Sequence, residues 1–277
     1  MKITKKPHLK GIKRKFFKMG TCSRTLGYIL NQEFENPRED AERALDPLAG
    51  GILRNGYQCG MLWGGSLAIG TESFQRHKGS DKSTAMAIKA TQSLIKSFSN
   101  QTGHIDCYDI ADTDWQNKKS FAKYMIRGKF MACFRLAEKW APEAVQAARE
   151  GLSYDTSKGP EKCTSCASEV VKKMGASEEE TAMVAGWAGG LGLTGNACGA
   201  LAAAIWMHTL KLCKETPGKS FYATQIADDT LEAFYKTTDY EILCRDITGK
   251  EFTGLEDHTE FLEKDGCKEL IEVLAKA

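Results

Sequence analysis

The chain has 277 residues, 42% hydrophobic and 27% charged, the composition of an ordinary globular protein. Its 38 basic and 36 acidic residues leave a net charge of +2, so overall charge supplies no strong nucleic-acid affinity, and only six prolines argue against a disordered chain. No run of about 18 apolar residues occurs, so no transmembrane segment is read.

The chain opens with a basic arm, residues 1–20. Its first 18 residues carry eight lysines and arginines and no acid, which leaves the remainder at −6. No apolar segment follows, so the arm does not read as a secretory signal. A frayed, solvated terminus is expected, with contact to an acidic partner or a membrane surface as the functional alternative. From there the pattern is helical. Residues 81–98 place Ala85, Ile88, Ala90, Leu94, Ile95 and Phe98 near helical spacing. Ser177 and Glu180 stand in capping-box positions before an apolar run. Residues 197–212 are almost wholly apolar and too long for a strand, which predicts a buried central helix. Residues 266–277 bring Leu270, Ile271 and Leu274 to one helical face. Alternating β runs are lacking, so the expected fold class is all-α. The cluster LSYDTSKGPE at 152–161 reads as a linker and divides the chain into 21–151 and 152–277.

Ten cysteines without a secretory signal point to a cytoplasmic chain with reduced thiols, and so toward metal ligation or redox chemistry. Their spacing exposes an internal repeat. AGGILRNGYQCG at 49–60 meets AGGLGLTGNACG at 188–199 without a gap, matching Cys59 to Cys198. IDCYDI at 105–110 meets ILCRDI at 242–247, matching Cys107 to Cys244. CFRLAEKWA at 133–141 meets CKELIEVLA at 267–275, matching Cys133 to Cys267. The offset drifts from 139 to 137 to 134, as small loop deletions would produce. Cys22 pairs with Cys163 if gaps are minimised, or with Cys166 if the helical sequence that follows is compared. Cys213 has no partner and reads as core. Two homologous helical repeats packed as a pseudo-symmetric bundle are expected.

Each half resembles the redox-active C-GCAxxG-C-C family, which has a first cysteine on a helix, a Cys-Gly-Ala segment after a glycine-rich approach, and two later cysteines. Cys22, Cys59-Gly60, Cys107 and Cys133 carry the resemblance in the first half. Cys166, Cys198-Gly199-Ala200, Cys244 and Cys267 carry it in the second. Met61 replaces the alanine of the first segment, and Ala203 the later glycine of the second, where the first half keeps Gly64. The resemblance implies an α-helical fold and a redox function, with no defined substrate.

A thiolate is both nucleophile and metal ligand. With Asn196 as the expected N-cap, Cys198 would stand in a first helical turn, where the helix dipole favours a thiolate. Four thiolates suit an iron–sulfur cluster or a tetrahedral zinc. Spacings of 37, 48 and 26 residues in the first half match neither a ferredoxin run nor a zinc ribbon. The redox resemblance weighs against zinc, which has no redox chemistry. Reversible disulfide exchange is the third option, and Cys163-Thr-Ser-Cys166 offers a CxxC without a thioredoxin context. Other motifs fail on context. Gly190-Leu-Gly192-Leu-Thr-Gly195 matches GxGxxG but follows a helical pattern, and Asp112-Thr-Asp114 lacks the rest of a calcium loop. His104 and His208 are weaker ligand candidates. The expected metal ligands are therefore Cys22, Cys59, Cys107 and Cys133, then Cys166 (or Cys163), Cys198, Cys244 and Cys267. The expected cofactor is an iron–sulfur cluster passing electrons to a redox partner protein. Structural zinc, or no cofactor and disulfide chemistry, are the alternatives. A homodimer is a candidate assembly, and cysteines of both halves could share one site. No acid–base pair stands out as catalytic.

Overall fold

The computed structural model describes residues 9–277, apart from the side chain of Lys158. Among these residues the regular structure is helical, and no strand forms. Helix α1 spans Ile12–Met19. The first repeat then runs α2 (Cys22–Glu33), α3 (Glu39–Arg43), α4 (Gly60–His77), α5 (Asp81–Thr102), α6 (Cys107–Ala111), α7 (Lys118–Ile126) and α8 (Phe130–Gly151). The second runs in the same order: α9 (Cys166–Lys173), α10 (Glu178–Met183), α11 (Gly199–Glu215), α12 (Gln225–Thr237), α13 (Cys244–Thr248), α14 (Leu255–Glu263) and α15 (Lys268–Lys276).

Local chemistry sets the boundaries. Thr21 and Ser165 cap α2 and α9 by accepting from the N–H groups of Arg24 and Ser168. Ser177 and Glu180 form the expected capping box at α10. Between α8 and α9 the expected linker is irregular except for a single 3-10 turn, Thr156–Lys158.

In each repeat the long apolar helix is central: α4 packs on α2 and α5, and α11 packs on α9 and α12. The repeats then exchange contacts reciprocally, α4 against α10 and α11 against α3. Trp187, from the second repeat, stacks edge-on against Trp63 of α4 at 5.4 Å and against Trp206 at 6.1 Å. All three are fully buried, so one hydrophobic core runs through both repeats. No helix among the described residues is long and apolar enough to cross a membrane.

The amino-terminal arm departs from expectation. Residues 1–8 lie outside the described residues, but α1 is not a frayed end. Ile12 and Phe16 are buried, and Phe16 packs on Phe134 of α8 with ring centroids 4.3 Å apart. The charge run concealed this because the two apolar residues stand four apart, on one face of a short helix.

Candidate redox sites

Each site is pinned by one antiparallel backbone crossing. In the first repeat the Cys59 N–H donates to the Ile105 carbonyl (2.8 Å) and the Cys107 N–H to that of Tyr57 (2.7 Å). In the second, Cys198 donates to Ile242 (3.0 Å) and Cys244 to Asn196 (2.7 Å). These isolated bridges, Gln58 with Asp106 and Ala197 with Leu243, set cysteines distant in sequence side by side.

A glycine-rich turn precedes each pair. Residues 50–54 (Gly50, Gly51, Ile52, Leu53, Arg54) and 189–193 (Gly189, Gly190, Leu191, Gly192, Leu193) all have positive φ. A left-handed turn costs each non-glycine residue roughly 1–2 kcal/mol, and strain of this kind gathers at functional sites. The turn aims peptide groups at sulfur: the N–H of Gly50 hydrogen-bonds the Cys22 thiol, and that of Gly189 the Cys166 thiol. A Cβ on Gly51 would stand 2.3 Å from the Tyr57 nitrogen, and one on Gly190 2.4 Å from the Asn196 oxygen. The apparent GxGxxG is this turn.

All eight cysteines of the two sets sit at helix N-termini. Cys22, Cys107, Cys166 and Cys244 are first residues of α2, α6, α9 and α13. Cys59, Cys198 and Cys267 are the N-caps of α4, α11 and α15, and Cys133 lies in the first turn of α8. The Asn196 expectation is thus corrected. Its side-chain amide bonds Thr194 instead, and Cys198 itself occupies the cap. The N–H groups of Ala200 and Leu201 pull the Cys198 thiol down, and that of Met61 the Cys59 thiol, in each case against a larger rise.

The expected ease of ionising Cys198 is also corrected. Burial pushes its thiol up to about 12, with Cys166 adding to the rise, against the pull of the helix N–H groups. Burial likewise raises Cys107, Cys133, Cys166, Cys244 and Cys267. Cys22 and Cys59 share a hydrogen bond that lowers Cys22 and, together with burial, raises Cys59.

Each set lies within its own repeat. Cys107 and Cys133 are within electrostatic reach of Cys22 and of each other. Cys166, Cys198, Cys244 and Cys267 line one narrow cavity closed by apolar side chains including Phe252, Phe261 and Leu270. Cys163 is elsewhere. It packs with Ala85, Ile88 and Leu255, and its own N–H donates to Asp81. Cys213 is fully buried core. His104 is exposed near Asp109, and His208 is half-buried in α11 beside Lys211. Asp112 is ion-paired with Lys129.

Three further residues adjoin the sites. The Tyr124 hydroxyl lies 3.6 Å from the Cys133 sulfur. The indole N–H of Trp115 makes no regular hydrogen bond and faces Cys107, whose thiol it pulls down against the dominant rise from burial. In the second repeat His258 lines the cavity, stacks on Phe252 at 4.8 Å and donates Nδ1–H to the Thr164 carbonyl, 3.2 Å away. Tyr124 and His258 each stand nine residues before the last cysteine of their set, so extending the repeat alignment backward would have found them.

The fold and the two cysteine sets define a class: a duplicated all-α protein with a set of four cysteines in each repeat. The family model described as "Putative redox-active protein (C_GCAxxG_C_C)" matches residues 21–147 and again residues 153–277, and the chain belongs to that family in two tandem copies. No curated protein and no solved structure matched the chain.

Proposed function

We propose that each repeat holds an iron–sulfur cluster on its four cysteines and that the chain transfers electrons. The carrying observation is that each repeat brings four buried or half-buried thiols to helix N-termini, with peptide N–H groups near sulfur. A cluster ligated by four thiolates is an anion. Helix N-termini and N–H···S bonds favour such a group, and hydrogen bonds to sulfur are a main control of cluster potential. The raised thiols agree with this reading. A bound metal would supply the positive charge that deprotonates them.

The donor chemistry therefore fits the group. Among the described residues, no three metal-ligating side chains are gathered as a ligand set around one ion. Cys166, Cys198, Cys244 and Cys267 already line one cavity, where reorienting their side chains would bring them to a shared metal. Within the family reading, zinc would leave the redox assignment without an electron carrier.

One observation favours a second reading for the first repeat alone. The Cys22–Cys59 contact, with Cys22 the readier thiolate, suits a reversible two-electron disulfide. Dithionite reduction of anaerobically prepared protein separates the readings. Two clusters give visible absorbance that bleaches on reduction, with Cys59→Ser and Cys198→Ser each losing about half of it. A colourless protein whose free thiols rise on reduction contradicts the cluster reading.

A further inference from the structure

The two sites differ in what covers them. Over the first, α7 turns only Tyr124 inward, toward Cys133. Its outer surface is basic and apolar together. Lys118, Lys119, Lys123 and Arg127 are exposed, and none forms an ion pair among the described residues. Between them stand Phe121, Met125 and Ile126, at 42%, 47% and 86% exposure. The matching helix over the second site, α14, is acidic and largely neutralised, with Asp257, Glu260 and Glu263 paired to Lys250, Lys264 and Lys162.

The basic surface continues along the first site. Helix α1, which the second repeat lacks, packs on α8 beside it and exposes Arg14, Phe17 and Lys18. Half-buried Cys133 lines a surface pocket of about 530 Å³ between the end of α5, α6 and the start of α8. A basic ring without close ion pairs around exposed apolar side chains is the anatomy of an interface that steers an oppositely charged protein. An anionic lipid surface fits less well. Asp109, Asp112 and Asp114 are exposed at the same rim, and a uniformly charged plane would press against them where a patterned protein surface need not.

We propose that α7 and its flanks are the docking surface for an acidic one-electron carrier protein that exchanges electrons with the first site; the electron exchange rests on the redox reading above. The carrier's reduced centre loses one electron and the first site gains it, with no bond formed and no proton moved.

Binding of the full chain to a plant-type ferredoxin, a small acidic one-electron carrier, tests this. The expected affinity falls about tenfold or more between roughly 20 and 200 mM salt. It falls comparably when Lys118, Lys119, Lys123 and Arg127 are all changed to Glu. The same reversal at Lys172, Lys173, Lys211 and Lys276 of the second repeat leaves binding within about twofold. Ile126→Ser weakens binding without altering its salt dependence. Ferredoxin binding that ignores the α7 reversal or the salt, or binding of phosphatidylserine vesicles through α7, overturns the proposal. Binding that depends on α7, with no electron passing from reduced ferredoxin, keeps the docking surface and overturns the redox reading instead.

Discussion

Cys163 and Cys166 lie three residues apart but face different surroundings. The Cys166 thiol faces Cys198 and receives the Gly189 N–H, whereas Cys163 lies among apolar side chains near Asp81 and Thr259. Cys166→Ala is expected to remove the cofactor of the second site, and Cys163→Ala to leave it intact. Iron and sulfide content of the two variants checks this, and equal losses would contradict the assignment. A second residue-scale prediction concerns Asp46. It is 1% exposed, accepts from the Thr21 hydroxyl, and burial pushes it up to about 6. A carboxyl raised from its ordinary 3.8 is most stabilising to the fold while protonated. That contribution is complete below pH 3.8 and is lost as pH rises through about 6, amounting to about 3 kcal/mol. Asp46→Asn should therefore be more stable than the parent at pH 7.5 and lack the decline between pH 4 and 6, as read by urea unfolding. A variant equally destabilised at both ends of that range would contradict this.

At the scale of elements, the helices and the repeat were largely legible. Apolar periodicity marked α5, α11 and α15, and the matched cysteines marked the two halves. Three features were hidden for physical reasons. The backbone bridges that pair Cys59 with Cys107 use main-chain groups, which leave no side-chain pattern. The left-handed turns carry Ile52, Leu53, Leu191 and Leu193, whose identities give no hint of positive φ. Cys198 serves as its own N-cap, where side-chain preference pointed to Asn196. The two departures from the family pattern now have a packing account. Gly64 lets α2 and α4 close together, since a Cβ there would lie 1.9 Å from the Ser23 carbonyl oxygen, one residue from Cys22. The second repeat accommodates Ala203 at the matching position, buried on α11. Gly64→Ala should cost about 3 kcal/mol and loosen the first site, whereas Ala203→Gly should cost about 1 kcal/mol and spare the second. Equal costs in urea unfolding would contradict this account.

At the scale of the whole molecule, duplication has produced one folded unit with two separate sites. The reciprocal packing of α4 on α10 and α11 on α3, with Trp187 between Trp63 and Trp206, leaves neither repeat a complete core of its own. Thermal unfolding of the full chain is therefore expected as one transition, with calorimetric and van't Hoff enthalpies agreeing, and two resolved transitions would contradict a shared core. The sites meanwhile stay within their own repeats and differ in their neighbours, Tyr124 and Trp115 at the first and His258 at the second. The most direct test is the iron, zinc and acid-labile sulfide content of the chain purified without oxygen, taken with its visible spectrum. Two clusters per chain, with sulfide matching iron and no zinc, are expected. Protein free of iron and sulfide, with all ten thiols titrating as ordinary cysteines once unfolded, would contradict the account.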